Sequence, residues 1–233
     1  MTRSQALAKR AFDILFATVV LVLTSPLIVL GVGVAMIENR GAGVFTQHRV
    51  GRNGRLFRIV KIRTMHPGPG LQTNVTARSD PRITIAGRVM RRTKIDELLQ
   101  FINVLLGHMS VVGPRPDVPG FADLLEGSDR DILALRPGIT GPASIYWRDE
   151  ENILSSANDP EAFNRAIVWP TKVRMNLEYS RNYSLAEDVR LIADTAFPFL
   201  GCSQAARLRR NRAGAAVVTA GDENRHAYKN PTA

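Results

Sequence analysis

The sequence predicts an α+β fold, in which a mostly helical, membrane-associated domain carries one small β-hairpin and follows an apolar N-terminal segment. Residues 11–37 are almost wholly apolar, two later runs alternate apolar and polar residues, and several segments place apolar residues at helical spacing. A chain of 233 residues suits one globular domain with accessory segments. We place a membrane helix at 1–40, a cytosolic catalytic domain at 41–202 and a polar, basic, mobile tail at 203–233.

The apolar segment is the first predicted element. It exceeds the roughly 20 residues that a helix needs to cross a bilayer, and it lacks the cleavage site of a signal peptide. Pro26 cannot donate to the carbonyl of Val22, so we expect a kink there, with Ser25 available to bond the freed backbone. Positive residues flank the segment on both sides, whereas a spanning helix usually has them on one. A single span is the default interpretation, and a helix that bends at Ser25-Pro26 and leaves by the face it entered is the alternative.

The two alternating runs, residues 44–50 and 56–63, predict a β-hairpin because a Gly-containing turn joins them. Its polar face is predicted to carry Arg58, Lys61 and Arg63. Taken alone, a basic face of this kind is more often solvated than functional.

Helical spacing and stop signals predict the remaining elements. In the segment 94–106, the apolar residues form one stripe that faces the core. The segments 120–135 and 160–168 are amphipathic, so each is expected either to pack on the core or to lie among lipid headgroups. Further helices are expected at 86–92 and 185–196.

The composition points to anionic partners. The net charge is +10 and the pI is about 10.6, which suits phosphates, nucleic acid or an acidic membrane face. Nucleic-acid binding is not expected, because aromatic residues make up only 6% and are not interleaved with the basic clusters. The single cysteine, Cys202, excludes an internal disulfide, and the histidines lack zinc-site spacing.

Two adjacent carboxylates, Asp96 and Glu97, are predicted in the first turn of the helix at 94–106. The helix dipole favours acidic residues there and Thr93 can cap the turn, so position alone indicates a structural role. Four cations precede the pair, however, and exposed amides at a helix start also attract anions. A phosphate held there would meet two carboxylates that can bind Mg²⁺, and one of them can attack phosphorus. The four cations are Arg88, Arg91, Arg92 and Lys94.

A proline-rich turn at 113–116 is the second candidate feature. Its prolines stiffen the backbone that presents Arg115, and a guanidinium held in this way suits phosphate oxygens. An ordinary turn with a solvent-facing arginine is an equal alternative. The turn at 136–142 is also stiff and is expected to line the same site.

These segments together resemble the bacterial sugar transferases known as monotopic phosphoglycosyl transferases, in their small single-domain form. The resemblance covers residues 9–200. Each segment is a weak signal, and the ordered set is specific. The matching segments are 9–13, 25–26, 45–51, 61–65, 91–100, 103–107, 109–116, 136–141 and 179–195.

The resemblance implies that a sugar-1-phosphate passes from a UDP-sugar to polyprenyl (undecaprenyl) phosphate, with release of UMP, as the first membrane step of a surface glycan pathway. Asp96 matches the nucleophile that forms a covalent phosphosugar intermediate, and Glu97 matches a carboxylate that helps to hold Mg²⁺. The family also implies a re-entrant helix broken at Ser25-Pro26, at the cytoplasmic face of the bacterial inner membrane. The residues that match substrate-binding or phosphate-binding positions are Lys61, Arg63, Arg91 and Arg115.

One alternative function remains at this stage: a non-enzymatic, basic, membrane-anchored adaptor that binds anionic lipid or a partner protein. Nothing in that function requires Asp96 beside Glu97. His108 and Asn176 stand where many family members have acidic residues, and a homodimer is compatible with the sequence. No residue selects among UDP-sugars or glycan pathways.

Overall fold

The computed structural model describes residues 1–66, 80–157, 159–198, 200–203 and 205–209. Most of the predicted tail, from residue 210 onward, lies outside the described residues. Within the described part the chain is largely helical, with two pairs of short strands, which agrees with the predicted α+β class.

The N-terminal segment forms one helix, α1 (Arg3–Glu38), which continues through Pro26. The Ser25 hydroxyl donates to the carbonyl oxygen of Val22 at 2.9 Å. That carbonyl is the one that Pro26 leaves without a backbone donor, so the predicted role of Ser25 is confirmed. The helix is not divided into two separate helices at Ser25-Pro26.

One side of α1 packs on the protein and the other is apolar and exposed. Ala17 and Ala35 are at most 1% exposed and lie on the packed side. Among the described residues, α1 is the one helix long and apolar enough to cross a membrane. Its length and its exposed apolar surface are compatible with the membrane segment predicted from the sequence. The side chains that are more than 60% exposed include Leu7, Leu15, Val22, Leu23, Val29, Leu30 and Ile37.

Both halves of α1 contact the same globular domain. In the first half, Ala17 lies in a cluster with Phe101 and Val104. In the second half, Ile28 and Ala35 lie in a cluster with residues of the hairpin and of the helices that follow it. The helix therefore lies along the domain rather than projecting away from it.

The predicted hairpin is confirmed. Strand β1 (Val44–Val50) pairs antiparallel with β2 (Leu56–Ile62), and a short 3₁₀ turn (Arg52–Gly54) joins them. Asn53 and Gly54 have φ values of 58° and 77°, so the tight turn places its Asn-Gly pair in the left-handed region.

The predicted basic face of the hairpin is wrong. Successive strand residues point to opposite faces, so Lys61 shares the face of Phe57 and Ile59, which are buried in the core. Arg58 lies on the other face and is exposed. The three cations Arg58, Lys61 and Arg63 therefore do not form one surface, because Arg58 is an odd number of residues away from the other two.

After the hairpin, the chain forms α2 (Ile85–Thr93), a 3₁₀ turn (Ile95–Glu97) and α3 (Gln100–Leu105). A second, two-stranded sheet follows. Its strands β3 (Ser110–Val112) and β4 (Gly138–Thr140) are parallel. Strands of three residues leave almost no periodic signal, so the sequence did not predict this sheet.

The C-terminal half is mostly helical. The predicted helix at 120–135 is instead a pair of 3₁₀ segments, Ala122–Leu124 and Gly127–Ala134. The segment 160–168 is a short α-helix that continues as a π-helical turn, Asn164–Val168. The last predicted helix is confirmed. The α-helices are α4 (Pro142–Tyr146), α5 (Glu150–Ser155), α6 (Pro160–Phe163), α7 (Trp169–Arg181) and α8 (Leu185–Ala196).

The domain continues past the predicted boundary at residue 202. Ser203 is fully buried, and its backbone amide donates to the Asp194 carboxylate at 2.6 Å. Arg209 forms an ion pair with Asp149, also at 2.6 Å. The first residues of the predicted tail therefore belong to the packed domain, and the boundary that we predicted was too early.

Candidate active site

The two carboxylates lie in a tight turn rather than at the start of a long helix. Lys94 adopts the left-handed conformation, with φ of 61°, and ends α2. The chain then makes the 3₁₀ turn that contains Asp96 and Glu97, and α3 begins only at Gln100. The single helix predicted at 94–106 is therefore wrong, because the break at Lys94 and the 3₁₀ turn divide it.

Thr93 does not cap this turn. Its hydroxyl donates backward, to the carbonyl oxygens of Val89 at 2.9 Å and Met90 at 3.2 Å. Thr93 thus bonds back into the last turn of α2 and not forward into the carboxylate turn.

Glu97 lies at the centre of the site. It is 8% exposed, and its Oε1 accepts from Arg115 at 2.9 Å and from Lys61 at 3.3 Å. Burial raises the pKa of Glu97, but the charges of Arg115 and Lys61 outweigh burial and hold the pKa well below its usual range. Glu97 is therefore ionised and brings together two cations that are distant in the sequence.

Asp96 is buried beside Glu97 and has different surroundings. It is 7% exposed, and its Oδ1 is buried with no hydrogen-bond partner among the described residues. Burial and the charge of Glu97 raise the pKa of Asp96, and Lys61, Lys94 and Arg91 oppose them. A buried carboxylate oxygen without a donor suits a nucleophile or a cation ligand better than a structural role.

The turn that carries Arg115 is clamped by the second sheet. The Gly113 amide donates to Thr140 at 2.9 Å, and the Gly138 amide donates to Pro114 at 2.8 Å. A Cβ atom on Gly113 would overlap the carbonyl oxygen of Arg136, so the close approach of the two segments requires glycine. The turn at 136–142, which we predicted to line the site, therefore holds the Arg115 turn in place.

The other predicted cations differ in position. The Arg91 guanidinium donates to the Met65 sulfur at 3.6 Å. Its positive charge acts to lower the pKa of Asp96. Arg63 donates to the carbonyl oxygen of Ala42 at 2.9 Å, where the chain enters β1. The structure thus bonds Lys61 and Arg115 to Glu97, bonds Arg91 to Met65, and bonds Arg63 to the backbone.

Arg49, on β1, is a further cation of this site that the sequence analysis did not single out. Its Nη1 donates to Pro116 at 3.2 Å, and its Nη2 donates to the Gln47 side chain at 2.7 Å. The next residue, Val50, donates its amide to Asp117 at 2.9 Å. Its position in the segment 45–51, which contributed to the resemblance, was the only available signal.

Asn103 is a second residue that the sequence analysis missed. It is 1% exposed, its amide nitrogen donates to Arg58 at 2.8 Å, and its oxygen accepts from Val60 at 3.1 Å. Its side chain thus pairs with the backbone of β2 as a neighbouring strand would. The contact sets the position of Lys61 relative to α3 and the carboxylate turn.

The residues present fit a hard divalent cation. Within the described residues, no group of three or more His, Cys, Asp or Glu side chains is placed to hold a metal by itself. Mg²⁺, however, commonly binds through one or two carboxylates and completes its shell with water and substrate phosphates. The unpartnered Oδ1 of Asp96 beside Glu97 provides that kind of partial site.

Asp117 is expected to make stability depend on pH. Burial raises its pKa from 3.8 to about 6, although Lys172, Arg49 and Arg115 act in the opposite direction. Between about pH 4 and pH 6 the folded state retains a proton that the unfolded state has released, so stability falls as the pH rises through that window. Asp117→Asn should therefore be more stable than the wild type at pH 7.5, by at most about 3 kcal/mol, and equal to it at pH 4.

Unfolding in detergent across this pH range measures the effect. A difference between the variant and the wild type that stays constant from pH 4 to pH 7.5 would show that the proton on Asp117 is not coupled to folding.

The chain is similar over most of its length to known proteins. A family model described as "Bacterial sugar transferase" matches residues 4–201. The exopolysaccharide production protein ExoY of Rhizobium meliloti is 33% identical over 205 residues, which are 81% of this chain and 84% of that protein. The UDP-glucose:undecaprenyl-phosphate glucose-1-phosphate transferase of Escherichia coli is 36% identical over 82% of this chain and 40% of that protein. The undecaprenyl-phosphate galactose phosphotransferase of Salmonella typhimurium is 33% identical over 83% and 40%.

Proposed function

Because the chain belongs to the bacterial sugar transferase family, we propose that it transfers a sugar-1-phosphate from a UDP-sugar to polyprenyl (undecaprenyl) phosphate and releases UMP. The protein is an enzyme, a sugar-phosphate transferase. One observation carries the detailed proposal: Asp96 has a buried oxygen that accepts no hydrogen bond from any described residue, and it lies next to a Glu97 that bonds to two cations. A membrane-anchored adaptor would not need such a pair.

The proposed reaction proceeds in two displacements. An oxygen of Asp96 attacks the sugar-bearing phosphorus of the UDP-sugar, a P–O bond to Asp96 forms, and the bond to the bridging oxygen breaks, so that UMP leaves. A phosphate oxygen of the polyprenyl phosphate then attacks the same phosphorus and the bond to Asp96 breaks, which restores the carboxylate. The covalent intermediate allows a water-soluble donor and a lipid acceptor to use the site in turn.

The neighbouring residues prepare Asp96 for this role. Glu97 bonds to Lys61 and Arg115 and so holds these two cations next to the carboxylate turn. The two cations favour the binding of phosphate oxygens near Asp96. The raised pKa of Asp96 indicates a carboxylate whose negative charge is only partly compensated by the protein. Bound Mg²⁺ would supply charge neutralisation for the phosphate oxygens, with Asp96 and Glu97 as its protein ligands.

The site is proposed to lie at the cytoplasmic face of the bacterial inner membrane, with α1 as a re-entrant segment. A straight helix of 36 residues is about 54 Å long and would place its two ends on opposite sides of a bilayer. Both ends contact the same domain, however. Lys9 pairs with Asp188 at 2.7 Å, and the Glu38 carboxylate accepts from the Ala86 amide at 3.0 Å. This arrangement favours a helix that enters and leaves by one face.

Cysteine labelling tests the topology. In a Cys202→Ser background, Ser4→Cys and Arg55→Cys are expected to react with a membrane-impermeant maleimide from the same side, in inverted vesicles but not in intact cells. The reason is that residues on both sides of α1 then lie in the cytoplasm. Labelling of the two positions from opposite sides would establish a spanning helix instead.

The reaction itself is tested by supplying the purified protein with a panel of UDP-sugars and Mg²⁺, with and without polyprenyl phosphate. We expect UMP release in steady state with the acceptor, and one equivalent at most without it. Mass spectrometry of the protein from the second condition should locate a phosphosugar on Asp96. A protein that turns over but never carries that adduct would contradict the covalent mechanism.

A further inference from the structure

We propose that Arg49 is a phosphate-binding residue of this site and that it holds the phosphate that leaves with the nucleotide. The inference rests on the proposed function, in which a nucleoside monophosphate is released. It assigns a role to a residue that lies on β1, away from the segments that contain the carboxylates and Arg115.

The guanidinium of Arg49 is incompletely satisfied by the protein. Of its five N–H groups, two donate, one to the Pro116 carbonyl oxygen and one to the Gln47 side chain. Its Nε is buried and has no partner, and Arg49 forms no ion pair with any described residue. A partly buried cation bonded only to neutral oxygens is a costly arrangement unless an anion binds beside it.

The nearest charges make that arrangement less favourable still. Burial and the like charge of Arg115 both disfavour the charged form of Arg49, and the attraction of Asp117 and Glu97 only partly offsets them. Lys61 experiences the same repulsion from Arg115 and Arg49. Arg49, Lys61 and Arg115 thus carry three positive charges near one another, and Glu97 is the only carboxylate of the described residues that bonds to any of them. A phosphate group between Arg49 and Arg115 would relieve the repulsion.

The position of Arg49 relative to Asp96 indicates which phosphate it binds. Arg49 bonds to Pro116, the residue that follows Arg115, and Arg115 bonds to Glu97 at 2.9 Å. Arg49 is thus attached to the Arg115 side of the Glu97–Arg115 pair, and among the described residues no hydrogen bond or ion pair joins it to Asp96. In a displacement at phosphorus, the attacking and leaving oxygens are roughly in line, so a cation on the side away from Asp96 meets the leaving phosphate.

Arg49 also helps to fix the turn that carries Arg115. Its bond to Pro116 and the adjacent bond from Val50 to Asp117 attach the Arg115 turn to β1. The Arg115 turn thus fixes Arg49, and β1 fixes the Arg115 turn. A phosphate that contacts both guanidinium groups would therefore be held by a stiff pair of donors.

Ligand binding to the full-length protein in detergent tests the assignment. Arg49→Met should weaken binding of UMP and UDP about 10- to 100-fold, the range for loss of one charge-assisted hydrogen bond, and leave binding of uridine unchanged. Arg58→Met is the matched control, because Arg58 lies on the opposite face of the same hairpin and is exposed. That variant should bind all three ligands within twofold of the wild type.

Arg49→Lys, which keeps the charge but not the fork of donors, should lie between the wild type and Arg49→Met, and it carries the test if Arg49→Met does not fold. UMP affinity within twofold of the wild type in whichever variant folds would overturn the proposal, as would an equal loss for uridine. A higher KM for polyprenyl phosphate with unchanged UMP affinity would assign Arg49 to the acceptor phosphate and also overturn it. Absence of UMP release from the wild type would instead contradict the proposed function, and the affinity measurements are independent of that result.

Discussion

Asp96→Asn is expected to lower UMP release from a UDP-sugar at least a thousandfold, equivalent to about 4 kcal/mol of transition-state stabilisation, while the protein remains folded. The amide cannot form the acyl phosphate that the first displacement requires. No described hydrogen bond is lost at Oδ1, because that atom has no partner. The substitution also removes a buried charge that its surroundings disfavour, so the variant should be at least as stable as the wild type.

The measurement pairs steady-state UMP release with thermal unfolding, for Asp96→Asn and for Asp129→Asn. Asp129 is exposed, on the 3₁₀ segment Gly127–Ala134, and serves as the control for the loss of one carboxylate. The control should keep the activity of the wild type. Turnover within tenfold of the wild type in a folded Asp96→Asn protein would rule out this residue as the nucleophile.

The second large effect is expected on stability. Lys9→Met should cost about 3–5 kcal/mol, because it leaves a buried carboxylate without its charged partner. Lys9 on α1 bonds to Asp188 at 2.7 Å and to the Tyr179 hydroxyl at 3.2 Å, and Asp188 is fully buried. Burial already raises the pKa of Asp188, and Lys9 opposes that effect. In the variant, Asp188 can take up a proton and become neutral, and a neutral carboxyl group no longer needs a charged partner. The free energy of that protonation is therefore the upper limit of the loss in stability.

Denaturant unfolding in detergent measures this loss, with Arg165→Met as the control. The Arg165–Glu161 pair is similarly short, at 2.9 Å, but both side chains are about 80% exposed, so its loss should cost less than about 0.5 kcal/mol. Adding Asp188→Asn to Lys9→Met should recover at least half of the loss. Equal effects of Lys9→Met and Arg165→Met would show that the buried pair does not anchor α1.

Local patterns predicted the elements that depend on neighbouring residues. The hairpin followed from alternation and the Gly-containing turn between its strands, and α8 followed from helical spacing that ends before Pro198. The bond from Ser25 to Val22 followed from the missing donor of Pro26. In each case the interacting groups are close in sequence, so composition and spacing determine the result.

The errors arose where distant segments override local preference. Lys94 interrupts a sequence with good helical periodicity, and the carboxylates then lie in a 3₁₀ turn that faces Lys61 and Arg115. The hairpin's cations were assigned to one face, but the face of Lys61 packs on the core. Ser203 was assigned to a tail because its local composition is polar, yet Asp194 binds its amide.

The sequence by itself determined the family, the apolar helix, the hairpin and the residue types of the site, because these are properties of ordered motifs and short-range spacing. Only the tertiary structure decided that Glu97 gathers cations from β2 and from the proline-rich turn, that Arg49 joins them, and that Arg63 does not. Those contacts join residues far apart in the chain. Their geometry follows from the packing of α1, the hairpin and the second sheet on one core, which no local pattern encodes.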